Sequence, residues 1–141
     1  MILPDVNVLI YAFRKDSSGH RVCKPWLDSV VGGDTQFGVS PLSLAAVARI
    51  TTNPRVFREP SALEDVFAFC NNLISQPHGE RVIPGERHWE IFERIVGQTS
   101  TRGPRMTDAW FAALAIEHGC TWITCDRDYA RFPGLDWRVP G

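Results

Sequence analysis

The chain has 141 residues, of which 44% are hydrophobic and 22% charged, and its net charge is −1 at pH 7. These proportions are typical of one globular domain, here expected over 1–141, and they exclude a disordered or collagen-like chain. Because the net charge is close to zero, the chain has no overall positive field that would attract a polyanion. Any contact with a nucleic acid therefore has to come from local patches of arginine.

The composition also bears on where the chain works. Its longest apolar run, 109–116, is far shorter than the roughly 20 residues that a membrane span needs, so we expect no membrane segment. The start of the sequence has no export signal, and its four cysteines are scattered at no framework spacing. A cytoplasmic protein with reduced thiols is therefore expected.

Short apolar segments alternate with amphipathic ones along the chain. In the first half of the chain the patterns predict a strand over 1–5, a helix over 8–13, a helix within 20–31, a strand over 35–39 and a helix over 42–50; the second helix is expected to start late because of Pro25. A Ser61–Glu64 capping box then predicts a helix over 61–75. The rest of the chain predicts a strand over 81–83, a helix over 86–96 with Trp89 on its apolar face, an exposed loop over 98–105, a helix over 106–118, and strands over 121–125 and 137–139. This alternation predicts an α/β fold with a parallel, helix-covered sheet.

Three aspartates fall where such a sheet binds ligands. Asp5 closes the first predicted strand, Asp126 follows the strand over 121–125, and Asp108 lies in the first turn of the helix before that strand. Ligands of open parallel sheets bind beyond the carboxyl ends of the strands. Carboxylates gathered there repel one another unless a cation lies among them, and oxygen ligands suit Mg²⁺ or Mn²⁺ better than zinc.

Each aspartate also has a plainer explanation. Asp5 resembles a helix cap, Asp108 favours the positive end of its helix dipole, and Asp126 with Asp128 is typical of a turn. Helix caps have no reason to cluster at neighbouring strand ends, so the joint pattern favours a functional site.

Three segments, in this order and spacing, carry a family resemblance: DVNVLIYA at 5–12, TDA followed by AALA and HG within 107–119, and TCDRDY at 124–129. They resemble the PIN domain, in particular the VapC-type toxins of toxin–antitoxin pairs. The resemblance implies a PIN-like three-layer fold with a parallel five-stranded sheet covered by helices. It also implies an Mg²⁺- or Mn²⁺-dependent endoribonuclease acting on structured RNA (tRNA or rRNA), often a homodimer, which a VapB-type antitoxin holds inactive.

The resemblance assigns roles by position. Asp5, Asp108 and Asp126 match the acidic metal ligands and catalytic residues of the family. The supporting polar positions fall on Asn7, Ser40 and Thr124, and Asp128 is a possible fourth acid. One departure is clear, because the glutamate that the family usually has six residues after Ser40 is replaced here by Ala46.

Arginines near these positions are candidates for RNA contact, because a guanidinium suits phosphate oxygens. Arg49 begins a stretch of three arginines, at positions 49, 55 and 58, with no acidic residue among them. Arg102 and Arg105 precede Asp108, and Arg127 flanks Asp126. Arginines in such positions are more often simply solvated surface charges.

Two other functions compete with the nuclease interpretation. A haloacid-dehalogenase-like or receiver-like phosphotransfer site also has an aspartate after its first strand, but it needs a lysine at a later strand end, and this chain has only Lys15 and Lys24. Alternatively, Ala46 marks a PIN-like fold that has lost catalysis and binds only RNA or an antitoxin.

Overall fold

A parallel five-stranded sheet forms the centre of the computed structural model, which describes residues 1–141. The strands are β1 (Ile2–Pro4), β2 (Phe37–Val39), β3 (Gly79–Arg81), β4 (Thr121–Ile123) and β5 (Trp137–Arg138). Their order across the sheet is β3-β2-β1-β4-β5. Since β1 and β4 are neighbours, with Pro4 opposite Ile123, the residues that follow these strands lie side by side.

Six helices cover the sheet and so confirm the predicted α/β architecture. They are α1 (Val6–Phe13), α2 (His20–Gly32), α3 (Pro41–Thr51), α4 (Leu63–Ile74), α5 (His88–Thr99) and α6 (Met106–Glu117), with 3₁₀ segments at Gly103–Arg105 and Arg127–Arg131. No helix combines the length and apolar composition that crossing a bilayer requires.

The core consists of two apolar clusters on opposite faces of the sheet. Trp122 belongs to the cluster of α5 and α6, whereas Ile123 belongs to the cluster of α1 to α4. Adjacent strand residues point to opposite faces, so this division places the sheet between two helical layers. Helix α6 is buried along most of its length, which fixes the position of Asp108 in its first turn.

The predicted capping box at Ser61 is wrong. Helix α4 begins at Leu63, and its N-cap residue, Ala62, offers no side-chain cap. The Ser61 hydroxyl instead accepts a hydrogen bond from Arg14 Nη1 at 3.0 Å, and the same nitrogen donates to the Glu59 carbonyl at 2.8 Å. A long-range contact therefore takes the group that the local pattern assigned to the helix.

Proline and tryptophan account for two further differences. Helix α2 begins at His20 and runs through Pro25, which lies on its exposed face, where water can satisfy the carbonyl that proline leaves without a donor. Trp89 is 66% exposed, while its neighbour His88 is buried and its ring nitrogen Nε2 contacts the Trp110 carbonyl at 2.9 Å. The buried face of α5 thus contains His88 in place of Trp89, while Ile95 is buried as predicted.

Two element boundaries also differ from the prediction. The third strand covers Gly79–Arg81 instead of 81–83, because Phe37 and Val39 of β2 pair with these residues. The predicted exposed loop over 98–105 starts inside α5, which continues to Thr99, and it contains the largely buried Thr101.

Candidate active site

A cleft of about 260 Å³ opens at the carboxyl ends of β1 and β4. It is lined by Asp5, Val6, Asn7, Ile10, Ala46, Arg49, Ile50, Thr107, Asp108, Phe111, Asp126 and Tyr129. All three predicted aspartates therefore face one cleft, although up to 121 positions separate them in the chain. A larger cavity of about 400 Å³ contains a single ionisable side chain, Arg138, so size alone does not identify the site.

Asp5 is held in place by neutral donors only. The residue is 5% exposed and caps α1, with Oδ1 accepting from the Val6 amide at 2.6 Å. Its Oδ2 accepts from Asn7 Nδ2 at 3.1 Å and from Thr124 Oγ1 at 2.6 Å. The helix-cap explanation and the site explanation thus both describe this residue, because one carboxylate oxygen caps the helix while the other joins the polar groups at the end of β4.

Burial raises the pKa of the Asp5 carboxyl from 3.8 to about 6. The hydrogen bonds from Thr124 and Val6 lower this pKa, while the negative charges of Asp108 and Asp126 raise it further. Electrostatic coupling among the three carboxylates therefore accompanies their common position in the cleft.

Asn7 and Thr124 connect the ends of β1 and β4. Asn7 Oδ1 accepts from the Cys125 amide at 3.1 Å, and its Nδ2 donates to Thr124 Oγ1 at 3.3 Å. Thr124 Oγ1 also accepts from the Asp126 amide at 3.0 Å. The two residues assigned as polar support therefore fix the backbone that carries Asp126.

Asp126 begins the 3₁₀ segment that follows β4. Its Oδ1 accepts from the Asp128 amide at 2.9 Å, so the turn-forming role considered from the sequence is present as well. Asp128 itself is exposed and pairs with Arg105 at 3.2 Å, away from the cleft lining.

Tyr129 contacts Asp108 and was not identified from the sequence. Its Oη donates to Asp108 Oδ1 at 3.3 Å, and its ring is buried in the core. Burial and the neighbouring aspartates raise the pKa of Tyr129 far above its usual value, so the phenol remains a donor. The available signal was its position three residues after Asp126, which a 3₁₀ turn brings back toward the site.

Burial raises the pKa of Asp108 too, and the charge of Asp126 adds to this effect. The Tyr129 hydroxyl and the charges of Arg131 and Arg105 act in the opposite direction. None of the three aspartates forms an ion pair within the chain. Their oxygens line a common space without converging on one point, and no group of three His, Cys, Asp or Glu side chains is close enough to hold a metal ion directly.

The remaining predicted residues fall in different places. Arg49 and Ala46 line the cleft, so no carboxylate stands where the family usually has glutamate. Ser40 caps α3 by accepting from the Ser43 amide at 3.4 Å, and it has no hydrogen bond to an aspartate. Arg102 is exposed outside the cleft lining, and Arg127 lies in a neighbouring pocket.

Sequence comparison identifies the class of protein that this fold and cleft define. Residues 2–135 match the PIN domain. The chain is 40% identical to Ribonuclease VapC25 of Mycobacterium tuberculosis over 135 residues, which cover 96% of this chain and 95% of that protein. It is 38% identical to Ribonuclease VapC43 of the same organism over 140 residues, covering 99% and 95% respectively. The chain belongs to the PIN domain family and, within it, to the VapC ribonucleases.

Solved structures agree on the fold. A VapBC2 complex from Rickettsia felis, bound to a DNA fragment from its promoter, superposes with a TM-score of 0.72 at 16% identity and covers 100% of both chains. VapC20 of Mycobacterium tuberculosis, a Sarcin-Ricin loop cleaving toxin, superposes with a TM-score of 0.66 at 13% identity over 96% of this chain and 98% of that one. These likenesses confirm the predicted PIN-like sheet.

Proposed function

We propose that this chain is an endoribonuclease toxin that hydrolyses phosphodiester bonds of structured RNA, tRNA or rRNA. In this proposal Mg²⁺ or Mn²⁺ lies among Asp5, Asp108 and Asp126, which hold it in part through coordinated waters. One observation carries the proposal: three carboxylates from distant parts of the chain line one cleft, and no cationic side chain pairs with any of them. The VapC relatives, which are named as ribonucleases, support the same reaction.

The donor chemistry of the cleft fits a hard divalent cation. Its ligand candidates are all oxygens, and its lining contains neither histidine nor cysteine. Mg²⁺ usually keeps several waters and is held by one or two carboxylates, so an open arrangement of three aspartates suits it. The raised pKa of Asp5 indicates a carboxylate that a nearby cation would stabilise in its charged form.

The residues of the cleft have different roles in the proposed reaction. A bound divalent cation would lower the pKa of a coordinated water and polarise a phosphodiester oxygen. Asn7 and Thr124 hold Asp5 and the backbone of Asp126 in fixed orientations. The Tyr129 hydroxyl orients Asp108. Arg49, which lines the same cleft, would bind a phosphate oxygen.

The same proposal covers the partners. A VapB-type antitoxin is expected to neutralise the enzyme, because structural neighbours include VapBC toxin–antitoxin complexes. We also propose that the enzyme acts in the cytoplasm, as a homodimer. Asp128 remains a candidate supporting acid, and Arg102, Arg105 and Arg127 remain candidate RNA contacts at the rim.

Sequencing of RNA ends tests the ribonuclease proposal. Purified protein is incubated with total RNA and Mn²⁺, and new 5′ ends are compared among wild type, Asp5→Asn, Asp108→Asn and the exposed control Asp34→Asn. Loss of a residue that merely supports a metal ligand costs roughly 10–100-fold, so loss of a ligand should reduce cleavage at least that much. Undiminished cleavage by both site variants would remove the assignment of the aspartates.

Ala46 supports a second candidate, a PIN-like module that binds RNA or an antitoxin without cleaving. The cleft lacks the fourth acid of the family at this position. If wild type leaves tRNA and rRNA uncut with Mn²⁺ while still binding them, the binding module is the better description.

A further inference from the structure

A second, strongly basic pocket borders the catalytic cleft. Its volume is about 390 Å³, and it is lined by Arg105, Arg127, Asp128, Ala130 and Arg131. The lining thus contains three arginines and a single carboxylate, Asp128, which pairs with Arg105 at 3.2 Å. The pocket has an excess of positive charge in a chain whose net charge is −1.

Arg131 has hydrogen-bonding capacity that the chain does not use. Its guanidinium lies over the Phe132 ring, with Cζ 4.7 Å from the ring centroid. Its Nε and Nη2 are buried, and neither has a hydrogen-bond partner within the chain. A buried donor without an acceptor is unfavourable, so the side chain loses little by rotating toward an anion in the pocket.

The 3₁₀ segment Arg127–Arg131 joins this pocket to the cleft. Tyr129, in the middle of the segment, faces the cleft and contacts Asp108, whereas the residues on either side of it line the basic pocket. The Asp128 amide donates to Asp126 Oδ1 at 2.9 Å. One short segment therefore contributes residues to both the cleft and the basic pocket.

We propose that Arg131, together with Arg127 and Arg105, forms a subsite for a phosphodiester group of the RNA adjacent to the bond that is cleaved. The inference rests on the proposed function, because it takes the scissile phosphate to lie in the cleft. Guanidinium groups match phosphate oxygens in geometry as well as in charge. Unlike an acidic peptide, an RNA strand carries a phosphate at every nucleotide and so fills both sites at once.

The salt dependence of RNA binding tests the subsite without requiring cleavage. A fluorescently labelled RNA hairpin is titrated with protein in EDTA at several salt concentrations, and binding is followed by anisotropy. Wild type is compared with Arg131→Gln, Arg127→Gln and Arg94→Gln, the last removing an exposed arginine on α5 outside both pockets. Each lost phosphate contact should reduce the slope of log K against log salt by roughly 0.7–0.9. The control should keep the wild-type slope.

Two additional measurements keep the test decisive. Thermal unfolding checks that Arg131→Gln is folded, and Arg127→Gln serves in its place if it is not, because Arg127 is exposed. Arg131→Lys should keep the salt slope and lose affinity, since it retains the charge without the planar fork.

Wild-type slopes in both Arg131→Gln and Arg127→Gln would overturn the subsite. So would a selective loss of binding to polyglutamate, because that result would assign the pocket to an acidic peptide. The outcome is separable from the ribonuclease proposal. Reduced slopes with an inactive wild type would show that the pocket binds phosphate and would refute the ribonuclease proposal. Normal cleavage with unchanged slopes would refute the subsite alone.

Discussion

Replacing Asp5 by asparagine should make the isolated protein more stable at neutral pH. Burial and the neighbouring aspartates raise the pKa of Asp5 from 3.8 to about 6. In the folded state this carboxyl therefore binds its proton more tightly than in the unfolded state. Wild type consequently loses stability as the pH rises from about 4 to about 6, and the loss persists above that range.

The size of the effect follows from two opposing contributions. A pKa difference of about two units corresponds to roughly 3 kcal/mol at neutral pH, at about 1.4 kcal/mol per unit. Asparagine can accept on only one side, so it loses the bond from Val6 or those from Asn7 and Thr124, at about 1 kcal/mol per bond. In its better orientation the variant should thus be about 2 kcal/mol more stable above pH 7.

Urea unfolding at a series of pH values in EDTA measures this difference. The free energy of unfolding of Asp5→Asn should exceed that of wild type at pH 8. The difference should fall through zero as the pH approaches about 4, where wild-type Asp5 is protonated and only the lost hydrogen bond of the variant remains. The contributions of other titrating groups to the pH dependence of stability largely cancel in this difference, because both proteins contain the same groups. A difference that stays constant from pH 4 to pH 8, or a less stable variant at pH 8, would refute the burial argument.

Three more predictions concern the same cleft. Mn²⁺ should raise the Tm of wild type more at pH 8 than at pH 5, and it should leave the Tm of Asp108→Asn nearly unchanged. If calorimetry shows the same Tm shift in wild type and in Asp108→Asn, the ion binds elsewhere. Tyr129→Phe removes the hydrogen bond to Asp108, so it should lower the free energy of unfolding by about 1 kcal/mol and also lower the cleavage rate of RNA. An unaltered cleavage rate would show that Tyr129 does not position Asp108 for the reaction. Ala46→Glu should tighten Mn²⁺ binding and lower metal-free stability, both measurable by titration calorimetry and urea unfolding; weaker binding would show that the cleft has no room for a fourth acid.

The position of the aspartates at the carboxyl ends of parallel strands was predictable from the order of elements along the chain, whereas their proximity also depends on which strands are neighbours. A strand that ends on Asp5 and another that ends just before Asp126 bring their carboxylates together only if the strands are parallel neighbours. The alternation of strands and helices indicated parallel strands, and the pairing of Pro4 with Ile123 makes them neighbours. Local sequence could not specify that adjacency; the family resemblance supplied it.

Features decided by long-range contacts were not predictable in the same way. Ser61 carries a valid capping pattern, yet the Arg14 guanidinium, 47 positions away, uses its hydroxyl. Trp89 has the helical spacing of a core residue, but the burial of His88 turns it toward solvent. Tyr129 looked like an ordinary aromatic residue because its hydroxyl finds Asp108 only after β4 and α6 are packed.

The way Asp5 is held explains why stability and metal binding should oppose each other in this cleft. Its oxygens accept from an amide nitrogen, a carboxamide and a hydroxyl, all of them neutral. An arginine in the same place would lower the pKa of Asp5 and occupy the oxygens that a cation needs. Neutral donors instead fix the orientation of the carboxylate while leaving its charge uncompensated. The expected destabilisation of the metal-free protein and the proposed affinity for a divalent ion thus have one origin, and a change that reduces the first should weaken the second.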